Sequence, residues 1–254
     1  MPEAYERWLA PTVFHPFAVD LARRALSHAP KRVLELAAGT GVLTRELVAG
    51  LPQADVTATD LNPAMVDFGR QATPGATWRQ ADALDLPFQA GEFDLVACQF
   101  GVMFFPDKPA GFSEARRVLT AEGTFIFNMW AAIDSHEFEV AVVAALEQMF
   151  TNDPPTFLAS VPHGYANSDL AIADLARAGL RCVDAQTVTL EGRAESVADL
   201  AAGYCTGTPL RAEIEARWDL EATAAVVVKE MERRLGGGPV TAKMAAYIIE
   251  AKPS

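Results

Sequence analysis

The chain has 254 residues, half of them hydrophobic and 21% charged, with a formal net charge of −12. That length and balance describe a globular chain with a core large enough to need no disulfide or structural metal, and they exclude disorder, collagen and coiled coil. The 21 basic residues face 33 acidic ones, and the densest basic pairs are scattered among acids, so neither nucleic acid nor an anionic membrane surface is an expected partner.

Acids stand at Glu3 and Glu6, where an export signal would be basic, and no apolar stretch follows them. Tyr5, Trp8, Phe14, His15 and Phe17 then precede the first strand. They read as N-terminal lid helices over residues 1–29, and the same spacing suits ordinary helix packing. From about residue 30 to residue 130, short apolar runs alternate with helical stretches. Arg32-Val33-Leu34-Glu35-Leu36 reads as a buried parallel strand and residues 42–48 as a helix. A second strand covers 55–59, followed by a helix that starts at Asn62-Pro63, a cap with proline in the first helical position. Further strands are expected at 76–79, 93–99 and 124–129, with a helix at 110–119. This alternation predicts an α/β fold with a doubly wound sheet.

Beyond residue 130 the rhythm changes. Helices are expected at 136–150 and 169–178 and a strand at 182–190. A helical insertion over 196–235 ends at Gly236-Gly237-Gly238-Pro239, and a last strand covers 240–250. The whole reads as a single domain over 1–254. A cofactor-binding half spans 30–130 and a C-terminal half spans 131–254.

Cys98, Cys182 and Cys205 make an odd count without CxxC spacing, which favours a reduced, cytoplasmic location. The four histidines, at 15, 28, 136 and 163, show no metal-binding spacing, so no metal is expected. No apolar run approaches a membrane span.

The sharpest chemical feature is Val33-Leu34-Glu35-Leu36-Ala37-Ala38-Gly39-Thr40-Gly41, a strand running into a glycine turn and a helix. Gly39 and Gly41 permit a tight turn and close approach of backbone to ligand. Asp60 ends the second strand on the same rim of the sheet, where its carboxylate can accept both hydroxyls of a ribose. A dinucleotide site wants a third glycine, and Thr44 stands in that position. That departure weakens a nicotinamide reading and leaves it open.

With these residues in view, the chain resembles the class I S-adenosylmethionine-dependent methyltransferases, in particular the small-molecule branch similar to ubiquinone and menaquinone biosynthesis enzymes. Val33–Gly41 resembles the first motif of that family, with Ala37 in place of its usual first glycine. Thr59-Asp60-Leu61-Asn62-Pro63-Ala64-Met65 resembles the second and Ala81-Asp82-Ala83-Leu84-Asp85-Leu86-Pro87-Phe88 the third. Phe93-Asp94-Leu95-Val96 with Gln99-Phe100 resembles the fourth, and residues 114–127 resemble the helix, glycine turn and fifth strand that follow.

The resemblance implies a Rossmann-like seven-stranded sheet whose last strand is antiparallel, with helical lid insertions. It implies S-adenosyl-L-methionine as cofactor, held by Glu35, Ala37, Gly39, Gly41, Asp60, Leu61, Met65, Asp82, Ala83, Gln99 and Phe100. In that scheme Glu35 anchors the turn and the methionine end, Leu61 and Met65 flank the adenine, and Asp82 accepts from its amino group. Met103, Phe104, Trp8 and Trp130 are the expected substrate pocket. The implied reaction is in-line transfer of a methyl group to a small organic acceptor, without a metal. His15 and His136 are the candidates for a general base. A nicotinamide-dependent oxidoreductase and a non-catalytic cofactor-binding protein remain as rivals, and the sequence leaves acceptor and oligomeric state open.

Overall fold

A computed structural model describes residues 2–254; Met1 lies outside them. In chain order, helix α1 covers Tyr5–Phe14 and α2 covers His15–Ser27. Strand β1 is Arg32–Glu35, α3 Val42–Gly50, β2 Asp55–Asp60, α4 Pro63–Ala72, β3 Thr77–Gln80 and β4 Phe93–Gln99. Next come α5 Lys108–Val118, β5 Leu119–Trp130, α6 Glu137–Met149, α7 Phe157–Ser160, α8 Ser168–Arg177 and β6 Leu180–Ala194. The chain closes with α9 Val197–Gly207, α10 Leu210–Glu215, α11 Leu220–Leu235 and β7 Val240–Pro253.

The strands form one sheet in the order β3-β2-β1-β4-β5-β7-β6. β1 pairs in parallel with β2 and β4, β2 with β3, and β4 with β5, whereas β7 runs antiparallel to β5. This is the expected Rossmann-like seven-stranded sheet. Its central strands carry continuous apolar runs because both faces are covered. Val33, Leu34, Leu95, Val96, Ala97, Phe125, Ile126 and Phe127 are all fully buried. Helix starts follow from local chemistry: the side chains of Asn62, Asp107, Asn167, Ser196 and Asp219 each accept from a backbone N–H of the first turn.

Three elements differ from the sequence expectation. β5 begins at Leu119, so Gly123 lies inside the strand. The 196–235 insertion is three helices, because Pro209 precedes α10 and Asp219 starts a new cap for α11. α1 is a wide, π-type helix with Pro11 inside it, and the N–H of His15 reaches back five residues to the Ala10 carbonyl.

The chain forms two compact units. The sheet unit comprises Phe17–Trp130, Tyr165–Val188 and Ala246–Ser254. The helical unit takes the stretch ending at Pro16, Ala131–Gly164 and Thr189–Ala245. In the helical unit, Leu9, Val13, Leu200, Ala201, Cys205, Val227 and Met231 are buried. A Cβ placed on Gly203 would lie 3.0 Å from both Leu9 and Trp8, so glycine there lets α9 meet α1 closely.

Candidate active site

The reversal of strand order in the sheet unit falls between β1 and β4, the place where open α/β sheets bind ligands beyond the strand ends. Three residues of the turn after β1 have left-handed backbones: Ala37 (φ 51°), Gly39 (57°) and Gly41 (89°). At Gly41 a side chain is excluded twice, since an added Cβ would also meet the Trp78 ring at 3.0 Å. At Gly39 nothing lies within 4 Å of such a Cβ, so the turn faces open space there. Asp60 fixes this turn. Its Oδ2 accepts from the Gly39 N–H and its Oδ1 from the Asn62 N–H, both at 2.8 Å. Each oxygen retains a second lone pair for a ligand hydroxyl. Burial raises the Asp60 pKa, and the two N–H donors oppose that rise.

Glu35, at the end of β1, is 1% exposed. The Thr44 hydroxyl donates to its Oε2 at 2.6 Å. Burial pushes the Glu35 carboxyl up to about 8 against the help of Thr44, with the Asp60 charge adding to the rise. Thr44 therefore stands at the third-glycine position as the partner of a buried acid. Across the switch point, a Cβ on Gly101 would approach both Ala37 Cβ and Cys98 Sγ to 2.6 Å. The alanine at 37 is accommodated because position 101 carries no side chain.

Phe100 also has a left-handed backbone, at φ 50°. Its N–H donates to Asn128 Oδ1 at 2.8 Å, and its ring stacks on Trp130 with centroids 3.5 Å apart. Phe17 meets both rings edge-on. The Asn128 side-chain amide nitrogen and the Thr40 hydroxyl are buried without a hydrogen-bond partner, and both belong to segments at this rim. Two orphaned polar groups beside an open turn fit a polar ligand.

On the β2–β3 side, Leu61 is 64% exposed and Met65 half-buried. Asp82 is exposed, with Oδ1 accepting from the Leu84 N–H at 2.9 Å, and Ala83 and Gln99 are half-buried. The sheet unit thus brings Glu35, Ala37, Gly39, Gly41, Asp60, Gln99 and Phe100 to the rim of adjacent strands. Of the expected pocket residues, Met103 is buried and Phe104 is 49% exposed, while Trp130 belongs to the aromatic stack.

Trp8, His15 and His136 belong to the helical unit. His15 is exposed. His136 is buried, its Nε2–H donates to the Ala245 carbonyl at 2.8 Å, and burial lowers its pKa to about 4. It is therefore neutral near pH 7. Beside it lie two residues that sequence reasoning did not single out together, Glu139 and His163. His163 Nδ1–H donates to the Ala131 carbonyl at 2.6 Å, and its Nε2 contacts Glu139 Oε2. Burial alone would lower the His163 pKa and raise that of Glu139, and their mutual contact reverses both. The His136-x-x-Glu139 spacing is readable in the sequence, but nothing there brings in His163.

Residues 33–123 match the family model described as a methyltransferase domain. The match takes in all four motifs and leaves the rest of the chain outside it. The chain is 38% identical over 109 residues to a demethylmenaquinone methyltransferase of Deinococcus radiodurans, covering 41% of this chain and 45% of that protein. It is 33% identical over 159 residues to a malonyl-[acyl-carrier protein] O-methyltransferase of Geobacter sulfurreducens, covering 61% and 57%. The chain therefore spans about half the length of these curated relatives. Among solved structures, the YcgJ protein of Bacillus subtilis superposes with a TM-score of 0.60 over 93% of this chain and 98% of that one, at 17% identity. That likeness establishes the fold across nearly the whole chain.

Proposed function

We propose that this chain transfers a methyl group from S-adenosylmethionine to a small organic acceptor. The observation that carries the reading is the Asp60–Gly39 hydrogen bond at the switch point, which sets a carboxylate beside an open glycine turn. When bound, the cofactor supplies a methyl group made electrophilic by its sulfonium. Asp60 would hold the ribose hydroxyls through its remaining lone pairs. Leu61 and Met65 would cover the adenine, with Asp82 at its amino edge. Glu35 would hold the β1 turn in register through Thr44, and the Thr40 hydroxyl and Asn128 amide would meet polar atoms at the methionine end. Phe100, held by Asn128, would close the apolar side. Alignment of this kind accounts for several kcal/mol of barrier, up to ~10.

The exposed Phe104 supports an apolar or aromatic acceptor. The relatives' names, a quinone-type and a carrier-bound carboxyl substrate, support the same broad class. The net charge of −12 argues against nucleic acid. No described helix is long and apolar enough to cross a membrane. Three free cysteines support a cytoplasmic site of action.

Isothermal calorimetry with S-adenosylmethionine, S-adenosylhomocysteine and NADH tests the reading. Binding of the first two without NADH is expected, followed by turnover on a panel of apolar acceptors. Binding of NADH alone overturns it.

A further inference from the structure

The geometry points to a second site, a buried divalent transition-metal site in the helical unit formed by His136, Glu139 and His163. The three residues each offer one ligand atom, and these atoms lie within 4.8 Å of one another. His136 stands at the N-cap of α6 and Glu139 lies three residues later in its first turn, so one helix start aims both at a common point. His163 comes from the loop that follows α7.

The backbone around the cluster is arranged as ligand support. A carbonyl oxygen can only accept, so the bond to Ala131 puts a proton on Nδ1 of His163, and the bond to Ala245 puts one on Nε2 of His136. In the neutral tautomers this leaves Nε2 of His163 and Nδ1 of His136 as lone-pair nitrogens. Backbone carbonyls that fix the tautomer in this way are the usual outer partners of metal-binding histidines. His163 Nε2 meets Glu139 Oε2, and the two imidazole rings lie edge to face at 4.6 Å. The set is dry: His136, Glu139 and His163 are 1%, 4% and 6% exposed.

A second, independent observation comes from α9. The Tyr204 hydroxyl is fully buried beside Glu139 and supports its carboxylate as a hydrogen-bond donor. A cation bound by two imidazoles and one carboxylate takes up one ligand atom from each of the three side chains. Two nitrogens and one oxygen suit zinc first among the common divalent ions. Ligands about 2.1 Å from one ion sit roughly 3.5 Å apart, so binding calls for the widest pair to move inward and for the His163–Glu139 contact to open and admit the ion. A closed, buried site of this kind holds structure: it would tie the loop at His163 to the start of α6.

The test uses the full chain, produced in zinc-supplemented medium and measured by elemental analysis. After removal of metal with dipicolinate, cobalt(II) is titrated back and read by visible absorption and by the ring nitrogen shifts of the four histidines. The expected result is about one zinc per chain, visible cobalt bands, and shifts confined to His136 and His163. Glu139→Gln and His163→Asn should each lower metal content by about tenfold, and chelation should lower the thermal midpoint of the wild-type chain only. A wild-type chain that takes up neither zinc nor cobalt overturns the site. So does undiminished metal content in both folded variants, or a His163 ring that stays doubly protonated against Glu139 throughout the titration. The wild-type titration decides the matter even if a variant fails to fold.

Discussion

Thr44 donates its hydroxyl proton to a carboxylate oxygen of Glu35 at 2.6 Å, and both side chains are shut off from solvent. The residue that departs from a three-glycine fingerprint is thus the partner of the acid that opens the same motif. Replacing Thr44 by Val keeps the volume and removes the donor. The expected cost is about 1–3 kcal/mol, the range for leaving a buried polar group unsatisfied, and Thr44→Ser should recover most of it. Urea unfolding at neutral pH measures both.

Glu35 makes the fold pH-sensitive with a definite sign. Its carboxyl titrates near 8 in the folded chain, chiefly through burial, against an ordinary value of 4.5. Between those values the folded chain keeps a proton that the unfolded chain has released. The stability linked to this group is therefore full below pH 4.5 and is lost as pH rises through 8. The slope approaches ~1.4 kcal/mol per pH unit within that window. In Glu35→Gln this part of the slope should vanish, as read from unfolding free energies across the same range.

Asp60 has two duties that a single variant separates from the rest of the rim. Asp60→Ala removes the acceptor for the Gly39 N–H and, with it, the carboxylate proposed to hold the ribose. Calorimetry should show S-adenosylmethionine binding weakened by about tenfold or more, on the usual magnitude of charged hydrogen bonds. Unchanged affinity would remove the ribose assignment.

Ala37 and Gly101 form a coupled pair. Gly101→Ala sets a methyl group 2.6 Å from Ala37 Cβ and from Cys98 Sγ. It should cost about 1–3 kcal/mol through overpacking. Ala37→Gly relieves one of the two contacts and also frees a left-handed position that costs alanine about 1–2 kcal/mol. In the double variant part of the loss should return, and a double-mutant cycle on unfolding free energies should give a non-zero coupling.

Much of this organisation is readable from residues alone. β1 and β4 stand out because their covered faces hold apolar runs, Val33-Leu34 and Leu95-Val96-Ala97-Cys98, and Asn62-Pro63 announces a helix start. The place of the glycine turn and of Asp60 at one rim was legible because it depends on backbone conformation and strand order. The hold of Asn128 on Phe100 was not, since it joins positions 28 residues apart through the register of β4 and β5. Thr44 read only as a departure from a third glycine, because its partner Glu35 lies across the turn. The wide form of α1 escaped as well: Pro11 lacks an N–H, and only the reach of His15 to Ala10 shows how the helix absorbs it. β6 is hard to extend by eye because most of its positions from Arg181 to Glu191 are exposed and mix polar with apolar residues, Val183 among them.

The position of β7 sets the timetable of assembly. It follows the other six strands of the sheet in the chain, yet it lies inside the sheet, between β5 and β6. Until Val240–Pro253 has emerged from the ribosome, β5 has an open edge and β6 has no sheet neighbour. The parallel core β3-β2-β1-β4-β5 can condense early, while β6 must wait, unpaired, for a strand made some fifty residues later. A chain cut short before β7 would carry the whole rim of the glycine turn and still expose a hydrophobic edge at Phe125–Trp130, the kind of edge that invites pairing with another chain.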